Sequence, residues 1–323
     1  MKNKALLLAA VVSVSFSSCS HTDSFTGFYF DTAVKVSASS DSSIAAFKQL
    51  AYEVDCQLSA HTAGAAVYDI NHGDEYIYGE HMHIDNILEG YANFENRFGK
   101  GVTPFCGSLT QLWSVTADNP MVPSEADILR ELQNVYDSSE YNKELPIGAV
   151  LDFGSGGKGY YCDLALEKAL ADDMQEIIVS CGSSSVVYSR DGREFITEII
   201  DPVNGDNILI STSNAFISTS GGYERFFEAD GKKYSHIMDI SSGYPAQTDI
   251  ASVTAVLPCV PNAGLESDLL STLIYIGGSK QIQNYVQICS VYYPDYGLAV
   301  IYEDGAMEYY GSINLLIGGE DTE

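Results

Sequence analysis

The sequence has little positive charge. Its 323 residues include 16 lysines and arginines against 44 aspartates and glutamates, which gives a formal net charge of −28. A field of that sign repels nucleic acids and anionic lipid surfaces, so we expect no nucleic-acid partner. An anionic small molecule would have to be held by local features such as a helix N-terminus, a metal ion or a single lysine.

The sequence also lacks closely spaced cysteines. Six cysteines follow Cys19 in the chain, and none of them forms a CxxC pair. They are Cys56, Cys106, Cys162, Cys181, Cys259 and Cys289. This spacing predicts neither a zinc site nor a dense disulfide framework, and we expect most of these residues to be small buried hydrophobic groups.

Long hydrophobic runs are absent as well, so no membrane-spanning helix is predicted after the N-terminus. The first stretch, MKNKALLLAAVVSVSFSSC, combines two lysines, a short apolar run and small residues before Cys19, which is typical of a secretory signal. The small residues resemble a bacterial lipoprotein processing site, although Phe16 stands where such sites usually carry leucine. We therefore predict an exported, periplasmic or cell-surface lipoprotein that is membrane-anchored through Cys19, with simple secretion as the alternative.

Runs of strand-like segments interrupted by helix-like ones follow the N-terminus. Strands are predicted at residues 25–39, 149–153, 176–182, 184–189, 194–200, 207–217, 233–239 and 250–257, before a last hairpin. Helices are predicted at residues 41–59, 87–98, 123–139, 159–173, 263–277 and 279–289. Because the pattern is not a strict alternation, it predicts an α+β fold with a mixed or antiparallel sheet.

A glycine-rich stretch, GSGGKG at residues 154–159, follows a predicted strand and precedes a helix. It satisfies GxGxxG, but the next strand ends in SCGSSS and offers no acid for a ribose, and Lys158 is followed by Gly159 where a P-loop needs Ser or Thr. Glycines let a backbone approach a ligand, and a helix N-terminus favours an anion there. A tight strand-to-helix turn is the alternative interpretation.

Two further pairs of residues suggest chemistry. Asp268 and Thr272 stand four apart on a predicted helix and supply oxygen ligands that suit Mg²⁺, although a solvated face or a threonine bonded to its own helix has the same spacing. His236 and Asp239 come where a strand runs into ISSGYP. The histidine is a candidate proton acceptor, and the alternative is a polar pair that closes a turn.

Together these segments resemble the ApbE family, the FAD:protein FMN transferases. LDFGSGGKGYYCD at residues 151–163 is similar to the family's Asp-Leu-Gly-Gly-Ile-Ala-Lys-Gly-Tyr-Ala-Val-Asp segment. STSGGYERFFEADGKKYSHIMDISSGYP resembles its Thr-Ser-Gly-x-Tyr-Glu-Arg-Phe and His-Ile-Ile-Asp-Pro-Arg-Thr-Gly-x-Pro stretches, and SDLLSTLIYIGG resembles its Ala-Asp-Ala-Leu-Ala-Thr helix. FDTAVKV, LSAHTAGAAVYDIN and LTQLW are weaker similarities, and the resemblance covers nearly all of residues 28–318.

The resemblance implies one T-fold-like domain at residues 28–318, after a signal peptide at 1–19 and a linker at 20–27, with an acidic tail at 319–323. It implies Mg²⁺ bound by Asp268 and Thr272 with a backbone carbonyl near Ser155 or Gly157, and His236 as the base. Asp152 and Lys158 would contact FAD, and His61 would lie against the isoalloxazine. The full set of FAD contacts that it implies is Phe30, Thr32, His61, Asn71, Gly101, Val102, Thr103, Asp152, Lys158, Ser220, Gly221 and Asp239.

The implied activity is transfer of FMN from FAD to a Thr or Ser hydroxyl of an acceptor protein, with release of AMP. The sequence departs from the family pattern at Ala65-Ala66, at residues 102–105 and at residues 240–242, and two of these regions border the flavin in the family. An FAD pyrophosphatase, a non-catalytic FAD-binding lipoprotein and a structural surface protein therefore remain as alternatives.

Overall fold

The structure is a computed structural model that describes residues 14–15, 23–38 and 44–316. Cys19, the acidic tail and all of the predicted signal peptide except residues 14–15 lie outside the described residues, so lipid anchoring stays a prediction. No helix within the described ranges has both the length and the apolar character needed to cross a membrane. The described cysteines are all free, and Cys162, Cys181 and Cys289 are buried.

The strands come in sixteen pieces over the described residues. They are β1 (Val14–Ser15), β2 (Asp23–Tyr29), β3 (Thr32–Ala38), β4 (Glu176–Cys181), β5 (Ser184–Ser189), β6 (Phe195–Ile200), β7 (Asn207–Thr212), β8 (Ala215–Gly221), β9 (Phe226–Ala229), β10 (Lys232–Ser235), β11 (Met238–Asp239), β12 (Tyr244–Pro245), β13 (Ile250–Pro258), β14 (Gly297–Tyr302), β15 (Met307–Gly311) and β16 (Asn314–Leu315).

The α-helices of the described residues are α1 (Ile44–Leu58), α2 (Ala66–Asn71), α3 (Met82–Phe98), α4 (Gly107–Trp113), α5 (Glu125–Leu132), α6 (Gly157–Ala171), α7 (Ala263–Gly277) and α8 (Ile282–Tyr292). Two short 3₁₀ helices, Ser138–Glu140 and Ser279–Gln281, complete the list.

The main sheet has eight strands in the order β15-β14-β13-β8-β5-β4-β3-β2, and every neighbouring pair in it is antiparallel. Helix α7 lies on β8 and β13 and against α6, and a large apolar core fills the space between sheet and helices. A four-stranded sheet, β1-β6-β7-β16, shares a second core with the other face of the main sheet. The predicted α+β class is confirmed, and within the described residues the sheets are antiparallel throughout.

A separate apolar cluster lies under α4, α5 and the hairpin β9–β10. It contains Leu109, Trp113, Ile128, Tyr234 and Met238. The Trp113 indole N–H donates to the Gly243 carbonyl at 2.8 Å, which joins α4 to the turn after β11. This cluster therefore forms a small cap beside the main core, and Trp113 connects it to the chain on both sides.

Some predicted elements differ in the structure. The single strand predicted at residues 25–39 is the hairpin β2–β3, which turns at Phe30 and Asp31 with φ of 53° and 54°. Two consecutive positive φ values define a type I′ turn, whose residues are most often Asn and Gly, so a Phe-Asp turn left no signal. Asp23–Tyr29 also extends the domain into the predicted linker.

Residues 149–153, predicted as a strand, form an extended segment outside the sheets. Its backbone bonds are made to a loop that is distant in the sequence, because the Asp152 N–H donates to the Pro104 carbonyl at 2.8 Å and the Gly107 N–H donates to the Val150 carbonyl at 3.0 Å. The predicted helix at 123–139 ends at Leu132, and the strand predicted at 207–217 is divided between β7 and β8 by Asn214 at φ 49°.

Candidate active site

A cavity of about 780 Å³ opens between the main sheet, helices α6 and α7, and the hairpins that follow β8. Most of the predicted site residues line it. They are Phe30, Thr32, His61, Gly101, Val102, Thr103, Asp152, Ser155, Gly157, Lys158, Ser220, Gly221, His236, Asp268 and Thr272. The volume lies within the range of small-molecule and cofactor sites, so the sequence motifs converge on one binding site.

The predicted metal pair sits on α7, where both side chains are buried. One Asp268 oxygen accepts the Gly159 N–H at 2.7 Å, and the other accepts the Ser184 hydroxyl. The Thr272 hydroxyl lies 2.9 Å from the Ser220 hydroxyl of β8. These contacts hold a carboxylate and a hydroxyl at fixed positions in the cavity wall, which excludes the alternative of a solvated helix face.

The glycine-rich stretch shapes the junction of the two helices. A Cβ on Gly159 would lie 2.1 Å from the Gly264 carbonyl oxygen, and a Cβ on Gly264 would lie 2.5 Å from the Gly159 oxygen. Only glycine allows the backbones of α6 and α7 to approach this closely, and the approach brings the Gly159 N–H to Asp268. The glycine-rich stretch is therefore a tight turn, as one interpretation predicted, and it also lines the cavity, as the ligand-binding interpretation requires.

Asp152 and Lys158 occupy the turn before and at the start of α6. The Asp152 carboxylate accepts the Thr110 hydroxyl at 2.7 Å and the Gly154 N–H at 2.8 Å. The Lys158 ammonium lies 3.3 Å from the Gly154 carbonyl. The cavity is also lined by the acidic residues Asp55, Asp152, Glu224 and Asp268. Lys158 therefore supplies the local cation that an anionic ligand would need in so acidic a protein.

His236 stands one residue after β10 and lines the same cavity as Asp268 and Thr272. Its backbone N–H donates to the Arg225 carbonyl at 3.0 Å, and its Nδ1 lies 3.2 Å from the same oxygen. Burial lowers the pKa of His236 to about 4, and the nearby charge of Arg225 lowers it as well. The ring is therefore neutral at pH 7, which leaves one nitrogen free to accept a proton.

Two predicted FAD contacts, Asn71 and Asp239, lie outside the cavity lining, and as FAD contacts they stay predictions. The Asn71 side chain donates to the Leu151 carbonyl and accepts the Leu151 N–H, both at 2.8 Å, and so holds the segment that carries Asp152. Asp239 accepts the Ser241 N–H at 2.9 Å and the Ser242 hydroxyl at 2.8 Å. Asp239 therefore closes a turn, which was the alternative interpretation of the His236–Asp239 pair. It makes no hydrogen bond to His236, so it does not orient the ring.

Thr110, Glu224 and Arg225 also line the cavity, and none of them was among the predicted site residues. Glu224 lines the cavity, and its Oε1 is buried without a hydrogen-bond partner among the described residues. Burial raises the pKa of Glu224, while the charges of Lys158 and Arg225 oppose that rise. Both Glu224 and Arg225 lie in the quoted STSGGYERFF stretch, so the signal for them was the motif itself.

Fold and cavity define an α+β protein with a cavity of cofactor size, in which oxygen donors suited to a hard cation share the lining with Lys158 and Arg225. The chain belongs to the ApbE family, whose profile matches residues 30–292.

Individual relatives agree with this assignment. An FAD:protein FMN transferase from Treponema pallidum is 26% identical over 221 residues, which cover 60% of this chain and 60% of the relative. One from Salmonella typhimurium is 29% identical over 199 residues, which cover 56% of this chain and 55% of the relative. The chain thus spans between half and two thirds of the length of these curated relatives. The crystal structure of an ApbE protein from Thermotoga maritima superposes with a TM-score of 0.77 at 24% identity, covering 90% of this chain and 97% of that one, and confirms the fold.

Proposed function

We propose that this protein transfers FMN from FAD to a Thr or Ser hydroxyl of an acceptor protein and releases AMP in a Mg²⁺-dependent reaction. Membership of the ApbE family supports the proposal, as do relatives that are named FAD:protein FMN transferases. The observation that carries it is that His236, from a separate segment of the chain, lines the same cavity as Asp268 and Thr272 of α7.

The donor set fits Mg²⁺. A buried carboxylate and a hydroxyl line the cavity from α7, and Ser155 and Gly157, whose backbone carbonyls are the further candidate ligands, belong to the same lining. Every candidate ligand is therefore a hard oxygen. Within the described residues no three His, Cys, Asp or Glu side chains cluster as metal ligands, so the proposed donors are one carboxylate, one hydroxyl and backbone oxygens. When bound, Mg²⁺ would offset charge on the diphosphate and on the leaving oxygen.

The reaction exchanges one phosphorus–oxygen bond for another. The acceptor oxygen bonds to the FMN-side phosphorus, the bond from that phosphorus to the bridging oxygen breaks, and the bridging oxygen leaves with AMP. The proton of the hydroxyl passes to the neutral ring of His236. Lys158 is the lysine side chain of the lining, and it binds the diphosphate against the acidic background.

One assay tests the proposal. The protein is mixed with FAD, Mg²⁺ and a candidate acceptor domain, and flavin fluorescence is sought on the denatured acceptor band. Labelled acceptor with release of AMP is the expected result. Free FMN and AMP without labelled acceptor would instead identify a pyrophosphatase. Unchanged FAD that copurifies with the protein would identify a non-catalytic FAD-binding protein, and the absence of any bound flavin would support a structural protein.

Two variants connect the assay to the site. His236→Ala is expected to lower the labelling rate by ~10²–10⁴-fold while FAD affinity changes little, because only proton transfer is lost. Asp268→Ala is expected to raise the Mg²⁺ concentration needed for half-maximal labelling and to lower turnover. Normal labelling by the first variant, or an unchanged Mg²⁺ titration for the second, would remove that residue from the mechanism.

A further inference from the structure

Arg225 joins two hairpins that border the cavity. Its guanidinium Nη2 donates to the Asp31 carbonyl at 3.0 Å, in the turn between β2 and β3. Its own carbonyl accepts the His236 N–H at 3.0 Å, which continues the β9–β10 pairing by one step beyond Ser235 and Phe226. The same residue therefore contacts the Phe30–Asp31 turn through its side chain and the candidate base through its backbone.

The contact at Nδ1 fixes the protonation of the ring. Nδ1 of His236 lies 3.2 Å from the Arg225 oxygen, and a carbonyl oxygen only accepts hydrogen bonds. A carbonyl has two lone pairs, so this oxygen accommodates the backbone N–H and the ring N–H together. Nδ1 must then carry the proton of the neutral ring, and Nε2 is left as the basic nitrogen.

The two cations near the ring act on its pKa in the same direction as burial. Burial is the largest cause of the lowered pKa of His236, and the cations of Arg225 and Lys158 lower it further. The Arg225 carbonyl and Asp152 oppose them. Arg225 thus affects the ring in two ways, because its charge disfavours the protonated form while its carbonyl selects the tautomer.

We propose that Arg225 is a positioning residue, which holds His236 as the Nδ1–H tautomer and, through its tether to the Asp31 carbonyl, keeps Nε2 available for the acceptor hydroxyl. The role of that nitrogen as the base rests on the proposed function, whereas the tautomer itself does not. A test that observes the ring directly therefore separates the two.

The experiment is ¹⁵N NMR of the full chain with labelled histidine, in which His236→Gln assigns the signals and pH is varied. Wild type is expected to show His236 with Nδ1 protonated and Nε2 unprotonated near pH 7. Arg225→Met keeps the backbone carbonyl but loses the tether and the cation. It is expected to show a mixture of tautomers, because the untethered carbonyl is no longer held at Nδ1, and a His236 midpoint at higher pH, because the cation is gone. Arg225→Lys keeps the charge and is expected to keep the low midpoint but to mix the tautomers.

Arg130→Met is the matched control, because it removes the same charge from an exposed arginine that lies outside the cavity lining. It is expected to leave the His236 signals unchanged. In the labelling assay, Arg225→Met is expected to lower the plateau rate by about tenfold or more through misorientation of the ring, and to move the acidic limb of the pH profile upward.

The proposal is overturned if wild-type His236 carries its proton on Nε2, or if Arg225→Met retains the wild-type tautomer and midpoint. Arg225→Lys keeps the test open if the methionine variant fails to fold, and a wild-type tautomer in folded Arg225→Lys would refute the tether. If the NMR results are as expected but the wild-type protein labels no acceptor, Arg225 still positions the ring and the proposed transferase function fails.

Discussion

The two sides of the cavity are built differently. On the helix side, Gly159 of α6 and Asp268 and Thr272 of α7 are held by backbone contact and buried hydrogen bonds. On the hairpin side, His236 and the Phe30–Asp31 turn lie at the ends of short strands and are joined through Arg225. The helix side depends on close packing, whereas the hairpin side depends on a few hydrogen bonds between loops.

This difference predicts how each side tolerates substitution. A packed helix junction resists any added atom, since interior volume has no free space to absorb it. A hydrogen-bonded turn on the surface loses only the net free energy of its bonds, because water replaces the missing partner. Three substitutions test this comparison, and they are given in order of decreasing expected effect.

The largest effect is expected on the helix side. Gly159→Ala would place a methyl carbon 2.1 Å from the Gly264 oxygen, which is a backbone atom and cannot rotate away. We expect the free energy of unfolding to fall by about 3 kcal/mol, as measured by urea denaturation. Gly157→Ala, two residues earlier in α6, is the control, because its nearest neighbour atom is at 3.9 Å. Equal stability of the two alanine variants would show that the junction is not tightly packed.

An intermediate effect is expected for Asn71, which holds the segment that carries Asp152. Asn71→Ala would leave the N–H and the carbonyl of fully buried Leu151 unpaired. The free energy of unfolding should fall by about 2 kcal/mol, while FAD affinity falls only through displacement of Asp152. Thermal unfolding and FAD titration measure the two quantities. A large loss of FAD affinity at unchanged stability would instead restore Asn71 as a direct contact.

The smallest effect is expected in the turn after β11. Asp239→Ala would remove the acceptor of the Ser241 and Ser242 bonds, which are exposed to solvent, so stability should fall by about 1 kcal/mol. The labelling rate should remain within about twofold of wild type, because Asp239 does not line the cavity. Loss of labelling without loss of stability would mean that Asp239 acts on His236 after all.

The same division explains what the sequence could predict. Helix α7 was predicted at its observed limits because fifteen residues of helical composition end at Gly277–Gly278. Helix α5 begins where it was predicted to begin, and Ser124 caps it by accepting the Asp127 N–H. Asp268 and Thr272 could be placed on one helix face by spacing alone. Their burial could not be predicted, because it depends on β8 and α6, which are distant in the sequence.

The errors fall mostly on the hairpin side and in the loops. The Phe30–Asp31 turn has no glycine or asparagine to mark it, and residues 149–153 are apolar enough for a strand but pair with loops. The spacing of residues in the sequence does not determine the direction of the backbone at Asp239. It therefore could not show whether the Asp239 side chain would face His236 or Ser241. Glu224 was overlooked because its environment becomes unusual only when the chain folds around it.

Every residue of α7 from Ala263 to Tyr275 is buried, including Glu266, Asp268 and Thr272. A saturation-mutagenesis map of most helices shows tolerant positions recurring every three or four residues, on the side that faces water. A helix without a solvent-exposed face cannot show this periodicity. Scanning this segment would give a continuous block of intolerance in which the residues needed for chemistry look the same as those needed for folding, so only assays that report flavin or metal binding separately from abundance would tell them apart.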